Sequence, residues 1–432
     1  MGVEGFKGFL GRNPIFKESF SKKLPEDVSS LFIDANGIFY AAASKVYLIG
    51  EKNGEPLYSD SERKKLMKKS KKNLEKLHFK FISEEIEKLI NLIKPKDNLI
   101  LAVDGVVNAA KMGQQKRRRF MGSLVDDPYQ IFDTKAITPG TEFMKKLDSY
   151  LENWLTSYEG YLPENTIYSS HLSPGEGEHK IFDYIRRGDI IQGQGAHIIN
   201  GLDNDLIILS VVSPLRNMFM RPENGSDIVN VENLRKDIIK LMRYENSDDE
   251  TIIRDFAVVV TLLGNDFLHK FPNVFHEVKK TMPLILKVYK WNKKPLTDKN
   301  NNIIWKNYLN YLRTYDNYNR KIMPLYIQVY LKPPKYPYKE IEKNIIVKDK
   351  ENNKVNQIYD PSKHMLDFNF KGFAVDWYKK QFNENIVQWD GEIVSTFSKK
   401  LIEDMCINYL QTVQWVQYYY TKGYKYVSNL HA

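Results

Sequence analysis

The sequence predicts an α/β protein, a mainly parallel central sheet flanked by helices with a largely helical C-terminal segment packed on it. Three observations carry that prediction. From Leu31 to about Pro272, strand-like apolar runs alternate with helical patterns, the signature of a parallel sheet threaded by helices. The runs are short and bounded by turn residues, as buried strands are. After Asp266 the texture changes to a helical alternation of Tyr, Leu, Ile and Lys.

In chain order, the strands read as residues 31–35, 98–104, 166–170, 197–202 and 217–221. Between the first two lies a Lys-rich amphipathic stretch, 61–93, whose charge run reads as a solvated helix face. Residues 281–330 read as helical, 332–358 as an irregular connection, and the last sixty or so as two helices. The second of these carries Tyr409, Leu410, Val413, Trp415, Val416, Tyr418, Tyr419 and Tyr420, too apolar for anything but burial against the first domain. The division expected is therefore a domain over 1–280 and a mostly helical segment over 281–432. No internal repeat is visible.

Composition bounds the function classes. The chain has 432 residues, 42% of them hydrophobic and 13% aromatic, which excludes global disorder. A formal charge of +10 favours a polyanionic partner. The single cysteine, Cys406, excludes an intramolecular disulfide and a Cys-based zinc site; it reads as a small buried residue of a protein in a reducing compartment. The N-terminus lacks a basic-then-apolar signal layout, and Phe6 stands where myristoylation needs Ser or Thr. The longest apolar stretch, around 256–263, is too short to span a bilayer. The expectation is a soluble intracellular monomer, cytoplasmic rather than nuclear.

Seven acidic residues carry the chemistry, each beside an apolar run: Asp34, Asp104, Glu176, Glu178, Asp203, Asp205 and Asp266. Ligand sites in open α/β sheets lie beyond the carboxyl ends of strands. So many gathered carboxylates repel strongly, and hard divalent cations, Mg²⁺ or Mn²⁺, are their natural occupants. Glu176 and Glu178, like Asp203 and Asp205, are two apart, so extended backbone would present each pair on one face. Glycines at 175 and 177 permit a tight turn, and a helix reads from His179 onward. Two-metal phosphodiester hydrolysis explains the need: one ion activates water while its partner, about 3.5–4 Å away, stabilises the departing oxygen.

A second constellation lies shortly after Asp104. On a helix at about 100° per residue, Lys111, Gln115, Arg118 and Arg119 fall at about 0°, 40°, −20° and 80°. They share one face, whereas Lys116 and Arg117 point elsewhere. Two guanidinium forks, an ammonium and an amide suit a phosphate monoester dianion.

At this point a resemblance becomes specific. Asp-Ala-Asn-Gly (34–37), Ala-Val-Asp-Gly-Val (102–106), Lys-Met-Gly-Gln-Gln-Lys-Arg-Arg-Arg-Phe (111–120) and Ile-Thr-Pro-Gly-Thr-Glu-Phe-Met (137–144) resemble the XRN family of 5′→3′ exoribonucleases. So do Pro-Gly-Glu-Gly-Glu-His-Lys (174–180), Gly-Leu-Asp-Asn-Asp-Leu (201–206), Gly-Asn-Asp-Phe-Leu (264–268) and the triple-Tyr segment 418–420. The resemblance implies a catalytic domain of flap-endonuclease or PIN-like type, using two divalent ions and acting on single-stranded RNA with a 5′-monophosphate. It also implies that the seven acids form the metal site and that Lys111, Gln115, Arg118 and Arg119 form the 5′-phosphate pocket. The family's base-stacking His, six residues after the first Asp, is here Tyr40. Its Trp-rich segment after the triple-Tyr helix has no counterpart, so the chain reads as a compact catalytic core. Two rival readings share the residues: a structure-specific 5′ DNA flap nuclease of the same fold, and an inactive RNA-binding module.

Overall fold

The apolar runs become strands: β1 Phe20–Ser21, β2 Val28–Asp34, β3 Asn98–Ala102, β4 Asn165–Ser169, β5 Ala196–Asn200, β6 Met218–Arg221 and β7 Ile228–Asn230. They form one seven-stranded sheet in the order β1-β7-β6-β5-β2-β3-β4. The run from β6 through β5, β2 and β3 to β4 is parallel. At the β6 edge, β7 and then β1 are added antiparallel. Phe32 of β2 stands opposite Ile100 of β3 and Ile199 of β5, so apolar rows cross the middle of the sheet. Strands β3 and β5 are buried throughout, as strands covered on both faces are.

From β2 the chain moves outward through β3 to β4, then returns to place β5 on the other side of β2. Such a reversal opens a crevice beyond the carboxyl ends of the two strands that flank it. Asp34 is the last residue of β2, at that crevice.

This computed structural model describes residues 3, 5–52, 55–122, 128–201, 203–222, 227–271, 278–329, 344–354, 365–382 and 396–423. Contacts divide the chain into two units: Met1–Gly2, Leu10–Ile238 and Tyr418–Ala432 in the first, Val3–Phe9 and Ile239–Gln417 in the second. The first unit holds the sheet and helices α1 Asn36–Tyr47, α2 Asp60–Met67, α3 Lys71–Ile93, α4 Ala109–Gly122, α5 Glu142–Thr156, α6 Gly177–Arg187 and α7 Asn204–Val212. Helix α8, Val231–Met242, starts in it. The stretch expected over 61–93 is two helices: Ser59 opens α2 with a capping box, and the chain breaks before Lys71. Helix α3 buries Leu74, His78, Phe79, Ile82, Ile86, Ile90 and Ile93, spaced three and four apart along one stripe. The buried His78 ring bonds the Phe39 carbonyl of α1 at 3.0 Å.

The second unit is mostly helical: α9 Asp249–Val260, α10 Val278–Asn292, α11 Trp305–Val329, α12 Phe370–Phe382 and α13 Thr396–Thr421, the last as far as Gln417. Its boundary falls at 238/239 rather than near 280. The reason lies in α9, whose fully buried Asp255 accepts from Tyr289 Oη at 2.7 Å, Leu296 N at 2.7 Å and Thr297 Oγ1 at 2.5 Å, tying that helix to α10 and the loop beyond it. Burial lifts the Asp255 carboxyl to about 6 even so. Inside the segment expected to be irregular, Ile345–Lys348 pairs antiparallel with Met365–Phe368; residues 330–343 and 355–364 lie outside the described residues. Cys406 is exposed, not buried. On α13 Glu403, Cys406, Ile407 and Asn408 all face solvent, between the buried Ser398 and the buried run that starts at Val413. Among the described residues no helix is long and apolar enough to cross a membrane.

Candidate active site

Three loops at the carboxyl ends of the parallel strands build the site in the first unit. Asp34 ends β2, Asp104 lies two residues beyond β3, and Glu176 and Glu178 sit at the start of α6 after β4. One carboxylate oxygen each from Asp34, Asp104 and Glu178 lie within 4.8 Å of one another. Glu176, Glu178 and His179 form an overlapping trio on the same criterion.

The backbone explains how such repulsive groups are held. Gly105 N donates to Gly175 O at 2.8 Å and Gly175 N to Val106 O at 2.9 Å, pinning the loops after β3 and β4 together. A Cβ on Gly105 would lie 1.8 Å from the Ser173 carbonyl oxygen, so only glycine fits. Gly177 allows equally close approach, since its Cβ would stand 2.5 Å from Asp34 Oδ1. Gly177 N donates to Asp104 Oδ1 at 2.8 Å, while Asn36 Nδ2 donates to Asp104 Oδ2 at 2.8 Å. Asp104 N returns a bond to Asn36 Oδ1 at 3.1 Å, so this carboxylate is fixed from both sides.

Neither acid pair adopts the extended geometry expected of it. Glu176 is the N-cap of α6 with Glu178 in its first turn, and Asp203 is the N-cap of α7 with Asp205 in its first turn. The i, i+2 spacing therefore places the carboxylates around a helix N-terminus, where the macrodipole favours negative charge. Glu178 and Asp205 are buried and Asp203 is exposed. Asp266 belongs to the second unit, on the loop after the short 3₁₀ turn Thr261–Leu263, and is half-buried there.

Burial, and then the charges of Glu176, Asp34, Asp203 and Asp104, push the Glu178 carboxyl well above its usual range. Burial and the neighbouring Glu176 lift Asp104 to about 6. Cations offset part of this. Lys111, only 6% exposed, holds its Nζ 2.8 Å from Glu176 Oε1. Lys180 is buried with its Nζ 2.6 Å from Val103 O and 2.8 Å from Ser170 O, clamping the ends of β3 and β4, and burial lowers it to about 8.

Along α4, Lys111, Gln115 and Arg119 succeed one another at one-turn spacing. Lys111 turns inward to Glu176, and Arg119 Nη2 donates to Gln115 Oε1 at 3.3 Å. The backbone of Arg118 is helical, but its side chain lies outside the described residues. Tyr40, on α1, is 43% exposed with its hydroxyl 3.4 Å from the Ile137 carbonyl.

Two tyrosines expected from the sequence to be buried, but given no place in the site, stand beside its carboxylates. The last turn of α13, Tyr418–Thr421, belongs to the first unit. Tyr419 Oη donates to Glu176 Oε2 at 2.5 Å, and Tyr420 Oη to Asp205 Oδ1 at 2.9 Å; both rings are buried. Burial and the Glu176 charge keep the Tyr419 hydroxyl protonated, well above the ordinary phenol range. The Tyr419 ring lies 3.8 Å from the His179 ring, which burial holds well below its usual pKa and so neutral. Three consecutive tyrosines on a helix cannot all face water, and that was the available signal.

The chain matches the family described as XRN 5′-3′ exonuclease N-terminus over residues 1–127 and 122–223. It belongs to the XRN 5′-3′ exonuclease family. Among relatives, 5′-3′ exoribonuclease 1 of Saccharomyces cerevisiae is 32% identical over 256 residues, 49% of this chain and 17% of that protein. The Schizosaccharomyces pombe and human proteins of the same name are each 27% identical, over 67% of this chain and 24% and 18% of theirs. This XRN chain thus spans about a quarter or less of the length of these relatives. Among solved structures, the catalytic core of Rad2 in complex with DNA substrate aligns at 14% identity and a TM-score of 0.35, over 77% of this chain and 96% of that one. The XRN match covers the carboxylates from Asp34 to Asp205 and the whole of α4.

Proposed function

We propose that this chain is a divalent-cation-dependent 5′→3′ exoribonuclease, releasing mononucleotides from single-stranded RNA that bears a 5′-monophosphate. The observation that carries the proposal is the Asp34–Asp104–Glu178 cluster at the sheet's switch point in a chain of this family. The donor set suits Mg²⁺ or Mn²⁺: all three ligands are hard carboxylate oxygens, and two of them are pushed toward protonation by burial and by their acidic neighbours, which Lys111 and Lys180 offset only in part. Asp34, Asp104 and Glu178 would hold one such ion, and Glu176, Asp203 and Asp205 are the remaining candidates of the same unit for a second. What the ions supply when bound is acidification of water and neutralisation of charge at the phosphodiester.

The chain's own residues do the rest. Gly177 N and Asn36 fix the orientation of Asp104, and Lys111 fixes that of Glu176. Gln115, Arg118 and Arg119 would grip the terminal phosphate through charge-assisted bonds, and a cap or triphosphate would overfill the grip. Tyr40 offers an exposed ring for stacking on the first base, worth about 1–3 kcal/mol regardless of sequence. Tyr40→Phe then keeps activity, whereas Tyr40→Ala weakens it.

A time course on one RNA carrying 5′-monophosphate, 5′-triphosphate or 5′-hydroxyl, with and without Mg²⁺, tests the reading. Mononucleotides should accumulate from the monophosphate in Mg²⁺ alone. Arg119→Ala should cut efficiency about 10–100-fold, the loss of one bond to a charged group. Equal decay of all three RNAs refutes the phosphate grip, and preferential cutting of a branched DNA flap moves the substrate to DNA.

A further inference from the structure

Residues 63–74 contain seven cations, Arg63, Lys64, Lys65, Lys68, Lys69, Lys71 and Lys72, and no carboxylate. They form the junction of α2 and α3. All but Arg63 are exposed, and Lys68, Lys69, Lys71 and Lys72 make no ion pair among the described residues. Folding does not ask for this arrangement. Lys71 and Lys72 stand in the first turn of α3, with no acidic residue there, against the helix macrodipole. The same helix spends its later lysines differently, pairing Lys80 with Glu84 and Lys88 with Glu85.

Position gives the junction a use. Helix α3 ends at Ile93, just before β3 begins at Asn98, so its first residues lie toward the carboxyl ends of the strands. The bond from His78 to the Phe39 carbonyl sets the level of the first turns of α1, where Tyr40 is. Lys71 is seven residues before His78, about 10 Å further out along the helix. The junction therefore projects beyond the carboxylates on their own side of the sheet. It also adjoins the chain leaving α4: Arg63 and Lys64 lie over the Tyr129 ring, 5.5 and 5.3 Å from its centroid. Lys116 and Arg117 of α4 are exposed as well.

We propose that this junction is a second site for the substrate's sugar–phosphate backbone, gripping the strand 3′ of the nucleotide held at the carboxylates. The proposal rests on the exoribonuclease reading for its substrate. Its ligand class is single-stranded polyanion, bound without regard to sequence and released by salt. The grip would keep a shortening strand on the enzyme between cleavages, and a trinucleotide would be too short to reach it.

The test replaces Lys68, Lys69, Lys71 and Lys72 together by Gln, and by Arg in a second variant. A control, Lys94→Gln with Lys96→Gln, removes charge at the amino-end side of β3. Affinity for a 5′-phosphorylated 20-nucleotide RNA is measured in EDTA between about 50 and 200 mM salt. Each single-strand phosphate contact adds about 0.7 to the salt slope. Losing two to four contacts should therefore flatten the parent's decline by about 7- to 50-fold over that range. The Arg variant and the control should keep the parent's slope, and all proteins should digest a 5′-phosphorylated trinucleotide at one rate in Mg²⁺. A Gln variant with the parent's slope, or a control that flattens equally, overturns the proposal. The binding arm needs no catalysis, so a parent that binds long RNA through the junction yet digests nothing would sink the exoribonuclease reading and spare this one.

Discussion

Tyr419→Phe and Tyr420→Phe ask whether the end of α13 tunes the carboxylates or merely packs near them. Each change removes one hydroxyl and keeps the ring, so packing is preserved. Each hydroxyl donates to a carboxylate, Tyr419 to Glu176 at 2.5 Å and Tyr420 to Asp205 at 2.9 Å. A hydrogen bond to a charged group contributes about 1.5–3 kcal/mol. At about 1.4 kcal/mol per tenfold, the loss is worth roughly 10–150-fold. That agrees with the roughly 10–100-fold cost of removing groups that orient a ligand from behind. The sign across pH comes from the chemistry of the donor: it favours the ionised carboxylate, so without it the proton competes better with the cation. The assay is hydrolysis rate against Mg²⁺ concentration at pH 6 and pH 8. Half-saturating Mg²⁺ should rise in both variants, more at pH 6. If both melt at a lower temperature in EDTA but keep the parent's half-saturation at both pH values, the tyrosines only pack and the reasoning fails.

Three further outcomes are expected. Lys111→Met leaves Glu176 buried without its ion-pair partner, and breaking such a pair costs about 3–5 kcal/mol; denaturant unfolding in EDTA should show it, and adding Glu176→Gln should recover most of it. Gly105→Ala drives a Cβ to 1.8 Å from the Ser173 carbonyl, so it should cost about 1–3 kcal/mol and lower activity by moving Asp104; parent stability and rate would show that the loops are not pinned there. Relative to an Asp104→Asn variant, the metal-free protein should lose stability as pH rises from about 4 to about 6, because burial and the neighbouring Glu176 raise Asp104 to about 6 and the folded state then binds more protons than the unfolded one over that range; the buried histidines His78 and His179, whose pKa values are lowered, act the opposite way in both proteins and cancel. Added Mg²⁺ should remove the difference, and a gap in melting temperature between parent and variant that is the same at pH 4.5 and pH 7 in EDTA would contradict it.

The middle of the parallel core was legible because β2, β3 and β5 carry short apolar runs, and burial on both faces is what such a run requires. What could not be read is equally physical. Strands β1 and β7 have two and three residues, too few for any period to show, and exist because β6 offers an unpaired edge. The unit boundary at 238/239 depends on Asp255 finding partners 34 to 42 residues later, a pairing no local pattern encodes. Cys406 departs from expectation for a related reason. Its residue type favours burial, but it lies on the solvent-facing side of α13 with Glu403, Ile407 and Asn408.

Of the seven acids singled out, Asp34, Asp104, Glu176 and Glu178 lie in two overlapping clusters, and what marked them is that carboxylates beside buried strands are costly unless they serve something. Their supporting groups could not be picked out, because each looks ordinary alone. Asn36 reads as a helix-start residue, yet it brackets Asp104 with two bonds. Lys180 reads as a surface lysine, yet it is buried against backbone carbonyls of the loops after β3 and β4. Helical arithmetic puts Lys111 on a phosphate-facing side, and its position at the start of α4 carries it inward to Glu176 instead. The two roles join if the ammonium neutralises Glu176 while the cluster is unfilled and turns to the substrate phosphate once divalent charge takes its place. The buried Lys111 and Tyr419 at Glu176, and the buried Tyr420 at Asp205, thus offset part of the cost of holding these carboxylates in the fold.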